Sequence, residues 1–434
     1  MTSATRTRIR TRARRAAGPA FLAGALALAT ACGGGTGTSG EGGGSQLRAA
    51  WWGGEARAER FDQIVDGYEA QLDGEVTFKT EFAGFDQYWP RMSTQAAGKN
   101  LPDVMFITER QIADFAPALL DLQSYVDSGE LDLSSFSDTY IESGKYDDEL
   151  KMMPVGATYP TVQYNQVLFE EAGIPVPEGD WTWEDFKDTA VQLTQKLGDG
   201  RWGAQDSGGI GTLFENFLLQ REKSLFEGSE LNFDVQDLED WLQLWEDLRQ
   251  AGATPPGDVT VETSSLTFES SLFGTDKVAM FYTSHNQLPN FQGFMDAPLG
   301  LAPAPQGGTK NVLMIIGTFM SVSADTSNPE AAVGLLNHWV NDSEAIDLFG
   351  AEFGSPASQL VSDQISEGAD EALTALLEYG HEAEKIAELG SPRPRGGQEV
   401  ETIIASANEN VASGAMTPTE AAETAYADAE AAIG

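Results

Sequence analysis

The chain has 434 residues and a formal net charge of −41 at pH 7, with 67 Asp and Glu against 26 Lys and Arg. A surface this acidic repels nucleic acid and anionic membrane headgroups, and it disfavours a polyanionic substrate. The length allows two ordinary domains, and a single cysteine excludes an intramolecular disulfide framework, so the fold must rest on its hydrophobic core.

The start of the chain has the three parts of an export signal peptide. Six arginines form the basic part, a run rich in Ala and Leu follows over 20–29, and small residues precede Cys32. The apolar run is too short to span a bilayer core, which needs roughly 20 residues. We therefore interpret 1–31 as a cleaved signal, exported by either the general secretory or the twin-arginine route.

The sequence Ala29-Thr30-Ala31-Cys32 resembles a bacterial lipoprotein cleavage site, although Ala29 stands where that site usually carries leucine. The resemblance implies that Cys32 becomes the lipid-bearing first residue of the mature protein. The Gly/Ser-rich segment 32–45 is typical of a flexible tether. Together these features predict a domain anchored to the bacterial cell membrane. The alternative is a plain secretory peptide followed by an incidental cysteine.

From Leu47 onward the pattern alternates between strand and helix periods, which indicates an α/β fold with a parallel sheet. The predicted first strand ends at a Gly53-Gly54 turn. The apolar face of the helix that follows contains Phe61, Ile64, Val65, Tyr68 and Leu72. Two further strands are predicted from the alternation of Val76, Phe78, Thr80 and Phe82 and from the apolar run 103–107.

Later helices have start signals at their N-caps and first helical positions, namely Thr182, Asn328 with Pro329, and Thr417 with Pro418. Another helix has an apolar face that contains Leu238, Trp241, Leu242, Trp245 and Leu248. Because the two tryptophans lie on that face, we predict that they belong to a hydrophobic core and not to a ligand site.

Read in order, a series of short segments resembles the family 1 extracellular solute-binding proteins, the carbohydrate-binding proteins of ABC importers that include maltose-binding protein. Each segment alone is weakly specific, but their order and spacing cover nearly all of the chain after the tether. The segments are WWGGEAR (51–57), EFAGFDQYW (81–89), TQAAG (94–98), LPDV (101–104), MP (153–154), YNQ (164–166), LFEEAGIP (168–175), WTWEDF (181–186), VAM (278–280), APAP (302–305) and the final helix from Thr417.

The resemblance implies a two-lobed periplasmic-binding-protein fold of type II, in which each lobe is a sheet flanked by helices. Three crossings between the lobes are expected near 155–159, 313–317 and 355–359. Lobe 1 would hold 46–156 plus 318–356, and lobe 2 would hold 157–317 plus 357–434. The implied partners are a carbohydrate ligand and the membrane permease of an ABC transporter with a separate ATPase. We expect a monomer without a cofactor.

A sugar site needs flat aromatic rings for the C–H faces of the ligand and short polar groups for its hydroxyls. Buried hydroxyls left unpaired are costly, so polar groups must converge from both lobes. The candidates in lobe 1 are Trp51, Trp52, Phe85, Tyr88, Glu55, Glu109 and Arg110.

Two of these assignments carry an argument of their own. Strand alternation directs Trp51 and Trp52 to opposite sides, so at most one of them is a platform for the sugar. By resemblance, Glu109 and Arg110 lie in a loop after a strand, where the family often places an acidic residue on sugar hydroxyls. The alternative for each is a solvated loop charge.

The remaining candidates lie at the first crossing, where Tyr159 is expected at the floor of the cleft, and in lobe 2. Those in lobe 2 are Asn216, Tyr282, His285 and Arg393. His285 follows a predicted strand where relatives often carry an aromatic ligand residue, and a capped surface histidine is the alternative. Arg393 either meets a substrate carboxylate or balances local acid, and we favour the second.

Little in the sequence favours catalysis. None of the three histidines has a second histidine four residues further on, and the single cysteine cannot build a Cys/His metal cluster. Gly-x-Ser-x-Gly is absent, and 67 carboxylates make acidic pairs unavoidable. We therefore predict a non-enzymatic carbohydrate-binding protein. The alternatives are a secreted glycan hydrolase, and the same fold binding an acidic oligosaccharide or a peptide.

Overall fold

The structure is a computed structural model, and it describes residues 45–434 apart from positions 178, 180, 199 and 265. The predicted signal peptide, Cys32 and all but the last residue of the tether lie outside the described residues. The strands of the described part are β1 (Ser45–Trp52), β2 (Val76–Ala83), β3 (Val104–Thr108), β4 (Lys145–Tyr146), β5 (Glu149–Leu150), β6 (Met153–Thr158), β7 (Pro160–Asn165), β8 (Trp202–Ala204), β9 (Phe226–Glu227), β10 (Glu230–Leu231), β11 (Val278–Ser284), β12 (Leu299–Pro303), β13 (Leu313–Val322), β14 (Ser355–Pro356) and β15 (Ala387–Leu389).

The α-helices of the same part are α1 (Glu55–Gln71), α2 (Phe85–Ala97), α3 (Ile112–Phe115), α4 (Gln123–Ser128), α5 (Asp138–Ser143), α6 (Gln166–Ala172), α7 (Trp183–Leu197), α8 (Gly211–Leu219), α9 (Val235–Gln250), α10 (Gly257–Thr263), α11 (Leu288–Gln292), α12 (Pro329–Asn341), α13 (Ser343–Phe349), α14 (Gln359–Ser366), α15 (Glu371–Glu384), α16 (Gly397–Ala412) and α17 (Pro418–Ile433). Short 3₁₀ turns cover Ala116–Ala118, Phe268–Ser270 and His285–Gln287.

The larger sheet has seven strands in the order β14-β6-β13-β3-β1-β2, with β15 paired to β13. β1 runs parallel to β2 and β3, whereas β13 runs antiparallel to β3 and β6. The sheet is therefore mixed, whereas the sequence pattern alone predicts a parallel sheet. The reason is that β13 arrives by a connection from the other sheet, and a strand inserted in this way is free to run against its neighbours.

The smaller sheet has four strands in the order β12-β7-β11-β8. The chain passes from the larger to the smaller sheet between β6 and β7, with Tyr159 as the one residue between them, and it returns between β12 and β13. After β14 it continues into α14 and α15, and α15 packs on α11 and β12 beside the smaller sheet. The boundaries of the two lobes along the chain stay a prediction.

The predicted strands and capped helices are confirmed. Thr182 forms a capping box with Asp185 at the start of α7, and Thr417 does the same with Glu420 at the start of α17. Asn328 caps α12, whose first residue is a proline. These local signals work because each cap satisfies backbone N–H groups that the helix itself leaves unpaired.

The two tryptophans of α9 lie in the core, as predicted. Trp241 and Trp245 are fully buried, and their rings lie 5.9 and 6.1 Å from that of Trp183 on α7. Over the residues that the structure describes, none of the helices is both long and apolar enough to cross a membrane.

Candidate functional site

The carboxyl ends of β1, β2 and β3 meet at one edge of the larger sheet, because these three strands are parallel and adjacent. The register pairs Trp52 with Ala83, so the loops after β1 and β2 begin side by side. Glu109 and Arg110 directly follow β3 at the same edge. Loops at the carboxyl ends of strands in open α/β sheets are where ligands bind. We call this edge the loop edge.

An aromatic cluster covers the loop edge around Trp52. Its ring centroid lies 5.6 Å from those of Phe85 and Tyr88 and 5.5 Å from those of Trp89 and Phe353. Trp52 is 6% exposed and Phe85 is 43% exposed. Phe85 is therefore the ring that this cluster presents to solvent, supported from beneath by Trp52.

Trp51 lies on the opposite side of the strand from Trp52. Its ring packs against Phe61 of α1 at 5.4 Å and against Trp339 of α12 at 6.3 Å, and it is 1% exposed. The two tryptophans thus separate as strand alternation requires. Trp51 serves the core between the sheet and its helices, and Trp52 is the one that borders Phe85.

Tyr88 supports the aromatic cluster from inside. It is 2% exposed, and its hydroxyl donates a hydrogen bond of 2.9 Å to the carbonyl of Phe106. Burial raises the pKa of this hydroxyl above its ordinary value, although the bond to Phe106 acts in the opposite direction. The hydroxyl of Tyr88 is therefore hydrogen-bonded within the protein, and its ring packs against Trp52.

The first turn of α1 forms one wall of the loop edge. Glu55 is exposed there, and Arg57 donates 2.9 Å to the carbonyl of Trp52. The Arg57 guanidinium also pairs with Glu352 at 2.6 Å and lies 4.6 Å over the ring of Phe353. These contacts fix the turn after β1, and the carboxylate of Glu55 remains on the surface beside it.

The loop after β3 meets the start of α16. The side-chain amide of Gln111 donates a hydrogen bond of 3.2 Å to the side-chain oxygen of Gln398, and Arg110 lies 3.5 Å from Glu401. Glu109 accepts a hydrogen bond of 3.1 Å from the backbone N–H of Gly317 in β13. Burial raises the pKa of Glu109, and the nearby Arg110 lowers it by less. The loop after β3 is therefore bonded both to β13 and to the start of α16.

Arg393 lies behind this contact and is almost fully buried. Its guanidinium pairs with Glu215 at 2.7 Å and with Glu401 at 3.0 Å. Burial alone would lower the pKa of Arg393, but the two carboxylates outweigh it and raise that pKa. The other oxygen of Glu215 accepts two bonds of 2.7 Å from Ser391. We call Glu109, Arg110, Glu215, Arg393 and Glu401 the charge cluster.

Four neutral side chains meet where the chain passes from β6 to β7, and we call them the passage network: Tyr140, Tyr159, His285 and Ser355. The His285 Nδ1 accepts 3.0 Å from the Tyr159 backbone N–H, its Nε2 lies 2.9 Å from the Ser355 hydroxyl, and the hydroxyls of Tyr159 and Tyr140 are 2.8 Å apart. Burial lowers the pKa of His285 to about 3, so its ring is neutral and Nε2 carries the proton. Tyr140 and Ser355 also line a cavity of about 500 Å³.

Asn216 and Tyr282 lie in the interior beside the smaller sheet. Asn216 donates 3.3 Å to the Tyr282 hydroxyl and accepts 2.8 Å from the backbone N–H of Met314, and both side chains are fully buried. Tyr282 also packs edge-on against Trp183 at 5.3 Å. In this conformation their polar atoms are engaged with the protein.

The structure thus brings eight of the predicted residues together in three clusters and leaves four outside them. Trp52, Phe85 and Tyr88 share the aromatic cluster, while Glu109, Arg110 and Arg393 share the charge cluster. Tyr159 and His285 belong to the passage network, whereas Trp51, Asn216 and Tyr282 lie in the interior and Glu55 lies on the surface. Each of them stays a prediction as a ligand contact.

Sequence reasoning missed Gln111, Gln398, Glu401 and Glu215. One local signal was available, since Gln398 and Glu401 are three residues apart and share a face of one helix. Nothing local distinguishes Glu215, which is fully buried on α8, from the other carboxylates of the chain. Among the described residues, no group of three His, Cys, Asp or Glu side chains is arranged to hold a metal ion.

Comparison with protein families gives one match, over residues 63–375, to the model described as bacterial extracellular solute-binding protein. A putative binding protein of Brucella abortus is 24% identical over 145 residues, which is 33% of this chain and 34% of that protein. The match therefore spans about a third of the length of the curated relatives.

Solved structures resemble nearly the whole chain. A family 1 extracellular solute-binding protein of Alicyclobacillus acidocaldarius has a TM-score of 0.75 and 25% identity, covering 91% of this chain and 100% of its own. An ABC substrate-binding protein of Listeria monocytogenes in complex with cycloalternan has a TM-score of 0.73 and 20% identity, covering 89% and 98%. A periplasmic oligogalacturonide-binding protein of Yersinia enterocolitica in complex with saturated digalacturonic acid has a TM-score of 0.76 and 18% identity, covering 90% and 98%.

Proposed function

The chain belongs to the bacterial extracellular solute-binding protein family and has the two-lobed fold of periplasmic solute-binding proteins, and from this premise we propose that it binds a sugar or oligosaccharide between its lobes. The bound ligand is then delivered unchanged to the permease of an ABC transporter, powered by a separate ATPase. We propose that the protein acts as a monomer and as a carrier, not as an enzyme.

One observation carries the proposal: the loop edge touches the start of α16 through Arg110 with Glu401 and Gln111 with Gln398. The loop follows a strand of the larger sheet, and α16 belongs to the last part of the chain, which we assign to lobe 2. A cleft closed by contacts of this kind is how periplasmic binding proteins sequester a ligand.

The side chains at the loop edge suit a saccharide. Phe85 offers an exposed flat ring, backed by Trp52, for the apolar C–H face of a sugar. Glu55, Glu109 and Arg110 offer acceptors and donors for hydroxyls beside that ring. The likeness to proteins solved with cycloalternan and with digalacturonic acid supports the same ligand class.

The candidate contacts fall into three groups. We propose that Phe85, Glu55, Glu109 and Arg110 meet the ligand directly, with Trp52 supporting the ring of Phe85 from beneath. Tyr88 and Arg393 act by holding neighbours in place. Contacts from the fully buried Trp51, Tyr159, Asn216, Tyr282 and His285 would require the lobes to rearrange around them.

The proposed lobes are 46–156 plus 318–356 and 157–317 plus 357–434. The short links β6–Tyr159–β7 and β12–β13, together with the segment after β14, would then act as hinges. Closure that bends only a few backbone torsions lets contacts from both lobes shift the open and closed populations. Release to the permease requires the closure to be reversible.

The family is extracellular, so the protein works outside the cytoplasm. We further propose that Cys32 carries a lipid that anchors the domain to the cell membrane through the 32–45 tether. The variant Cys32→Ser should then be released from the membrane fraction or stay unprocessed. A mature N-terminus downstream of position 32 in the wild-type protein would contradict the anchor.

The ligand is tested by a thermal-shift screen of mono- and oligosaccharides, amino acids and peptides, followed by calorimetry of each hit. We expect saccharides to raise the melting temperature and to be recovered intact by chromatography after the complex is denatured. Stabilisation by peptides or amino acids alone would contradict the sugar assignment. Recovery of shortened oligosaccharides would favour the hydrolase.

A further inference from the structure

The charge cluster has more carboxylates than cations. Glu109, Glu215 and Glu401 supply three carboxyl groups, whereas Arg110 and Arg393 supply two guanidinium groups. Of these groups, Glu109 and Arg110 lie in the loop edge and are partly exposed, each with 21% of its side chain accessible. A ligand that reaches the loop edge therefore meets this pair first.

The cations around the loop edge already have anionic partners. Arg393 is held between Glu215 and Glu401, and Arg110 lies 3.5 Å from Glu401 and 3.8 Å from Glu109. On the other wall, Arg57 and Arg60 share the single carboxylate of Glu352, and the exposed Glu55 in the same turn makes the number of carboxylates there equal to the number of cations. A ligand carboxylate would therefore have to compete with one of these carboxylates for a guanidinium.

Two further cations lie near the end of α2 and are balanced in the same way. Arg395 and Lys99 line a cavity of about 610 Å³ together with Asp114 and Asp325. This cavity contains as many carboxylates as cations, so it offers no surplus of positive charge to a ligand.

We propose that the cleft accepts uncharged or amino-bearing saccharides and rejects saccharides that carry uronic-acid carboxylates, an inference that rests on the proposed function. A sugar hydroxyl or ammonium group donates to the carboxylates of the charge cluster. A ligand carboxylate loses its water there, finds the guanidinium groups occupied and lies beside excess negative charge, which disfavours binding. The excess carboxylate thus makes the sugar site selective against saccharides that carry carboxylates.

The test uses pairs of saccharides that differ only at C6, so that stereochemistry and length are matched. Galactose oligomers are compared with galacturonic acid oligomers, and glucose oligomers with glucuronic acid oligomers, by calorimetry on the full mature chain. Glucosamine oligomers, which differ from glucose oligomers at C2, test the amino-bearing class separately. In the pair that binds, we expect the uronic acid member to bind on the order of 100-fold more weakly. Tighter binding of a uronic acid member would overturn the inference and leave the proposed function intact. No binding of any saccharide would defeat the proposed function and the inference with it.

A variant pair locates the discrimination. Glu109→Gln removes one carboxylate and keeps an oxygen for the Gly317 N–H. The dissociation constant of the uronic acid member divided by that of the neutral member should therefore fall by about tenfold. Glu75→Gln makes the same change in net charge on an exposed residue just before β2, at the opposite end of the parallel strands, and should leave the ratio unchanged. Equal effects of the two variants, or an unchanged ratio in Glu109→Gln, would overturn the role of the charge cluster.

Discussion

The charge cluster and the passage network both join segments far apart in the sequence, but they do so with different chemistry. The passage network uses neutral groups whose hydrogen bonds are satisfied by one another, with His285 uncharged at its centre. The charge cluster uses five ionisable groups, of which Glu109 and Arg110 are partly exposed. The difference teaches which junction responds to salt and to a polar ligand, because both act on charges far more than on neutral hydrogen bonds.

The largest expected effect comes from removing the buried cation of the charge cluster. Arg393→Ala leaves Glu215 fully buried without its guanidinium, so the free energy of unfolding should fall by about 3–5 kcal/mol. Urea unfolding of the ligand-free protein measures this decrease in the free energy of unfolding. Arg395→Ala, an exposed arginine in the same loop, is the matched control and should change stability little. Similar losses in the two variants would mean that the ion pair with Glu215 is not what stabilises this region.

A smaller loss of folding stability is expected when the passage network is disrupted. His285→Leu preserves bulk but leaves the Tyr159 N–H and the Ser355 hydroxyl without partners, at a cost of about 2 kcal/mol at pH 7. His381→Leu makes the same change at an exposed position and should have little effect. A His285→Leu protein as stable as the wild type would show that the bonds of His285 contribute little to the fold.

The same variant has a characteristic response to acid. The unfolded histidine binds a proton below its ordinary pKa of 6.5, whereas burial keeps the folded His285 neutral down to a pKa of about 3. Wild-type stability therefore decreases through this group as the pH falls from 6.5 towards 3, by at most about 1.4 kcal/mol per pH unit. The stability advantage of wild type over His285→Leu should narrow as the pH falls below 6.5 and then reverse in sign, and a constant difference would contradict the buried neutral histidine.

The loop edge should lose affinity without losing stability. Phe85→Ala removes an exposed ring, so we expect sugar binding to weaken by about 1–2 kcal/mol while the unfolding free energy stays nearly unchanged. Phe268→Ala removes a ring of equal exposure, 43%, from a 3₁₀ turn elsewhere in the chain and should not alter affinity. Calorimetry with a ligand found in the saccharide screen tests both. Unchanged affinity in Phe85→Ala would remove the aromatic cluster from the site.

Sequence reasoning succeeded where the physics is local. A cap such as Thr182 satisfies nearby N–H groups, and the spacing of Trp241 and Trp245 fixes a shared face on one helix, so neither depends on distant parts of the chain. The separation of Trp51 from Trp52 is also local. Which of them borders the loop edge is not local, because it depends on where α1 and α12 pack.

The charge cluster was predictable only in part for the same reason. Glu109 and Arg110 were chosen through a family resemblance and Arg393 as a candidate in lobe 2. Glu215 and Glu401 have no local signature among 67 acidic residues, and they pair with groups far away in sequence, Glu215 with Arg393 and Glu401 with Arg110. Long-range ion pairs are set by tertiary packing. The mixed direction of the larger sheet escaped prediction for a related reason, since the placement of β13 depends on the other sheet.

The smallest expected effect is the acid response of the charge cluster, and its sign is opposite to that of His285. Burial raises the pKa of Glu109 above its ordinary 4.5, so between that value and the raised pKa the folded protein holds a proton that the unfolded chain has released. Stability contributed by this group is complete below pH 4.5 and is lost as the pH rises through the window. Because the side chain is partly exposed, the slope should stay below about 1.4 kcal/mol per pH unit. Glu109→Gln cannot titrate, so the stability of the variant relative to wild type should increase as the pH is raised, whereas that of His285→Leu should decrease. Unfolding measured at several pH values for both variants checks this, and the same sign in both would contradict the contrast between a neutral junction and a charged one.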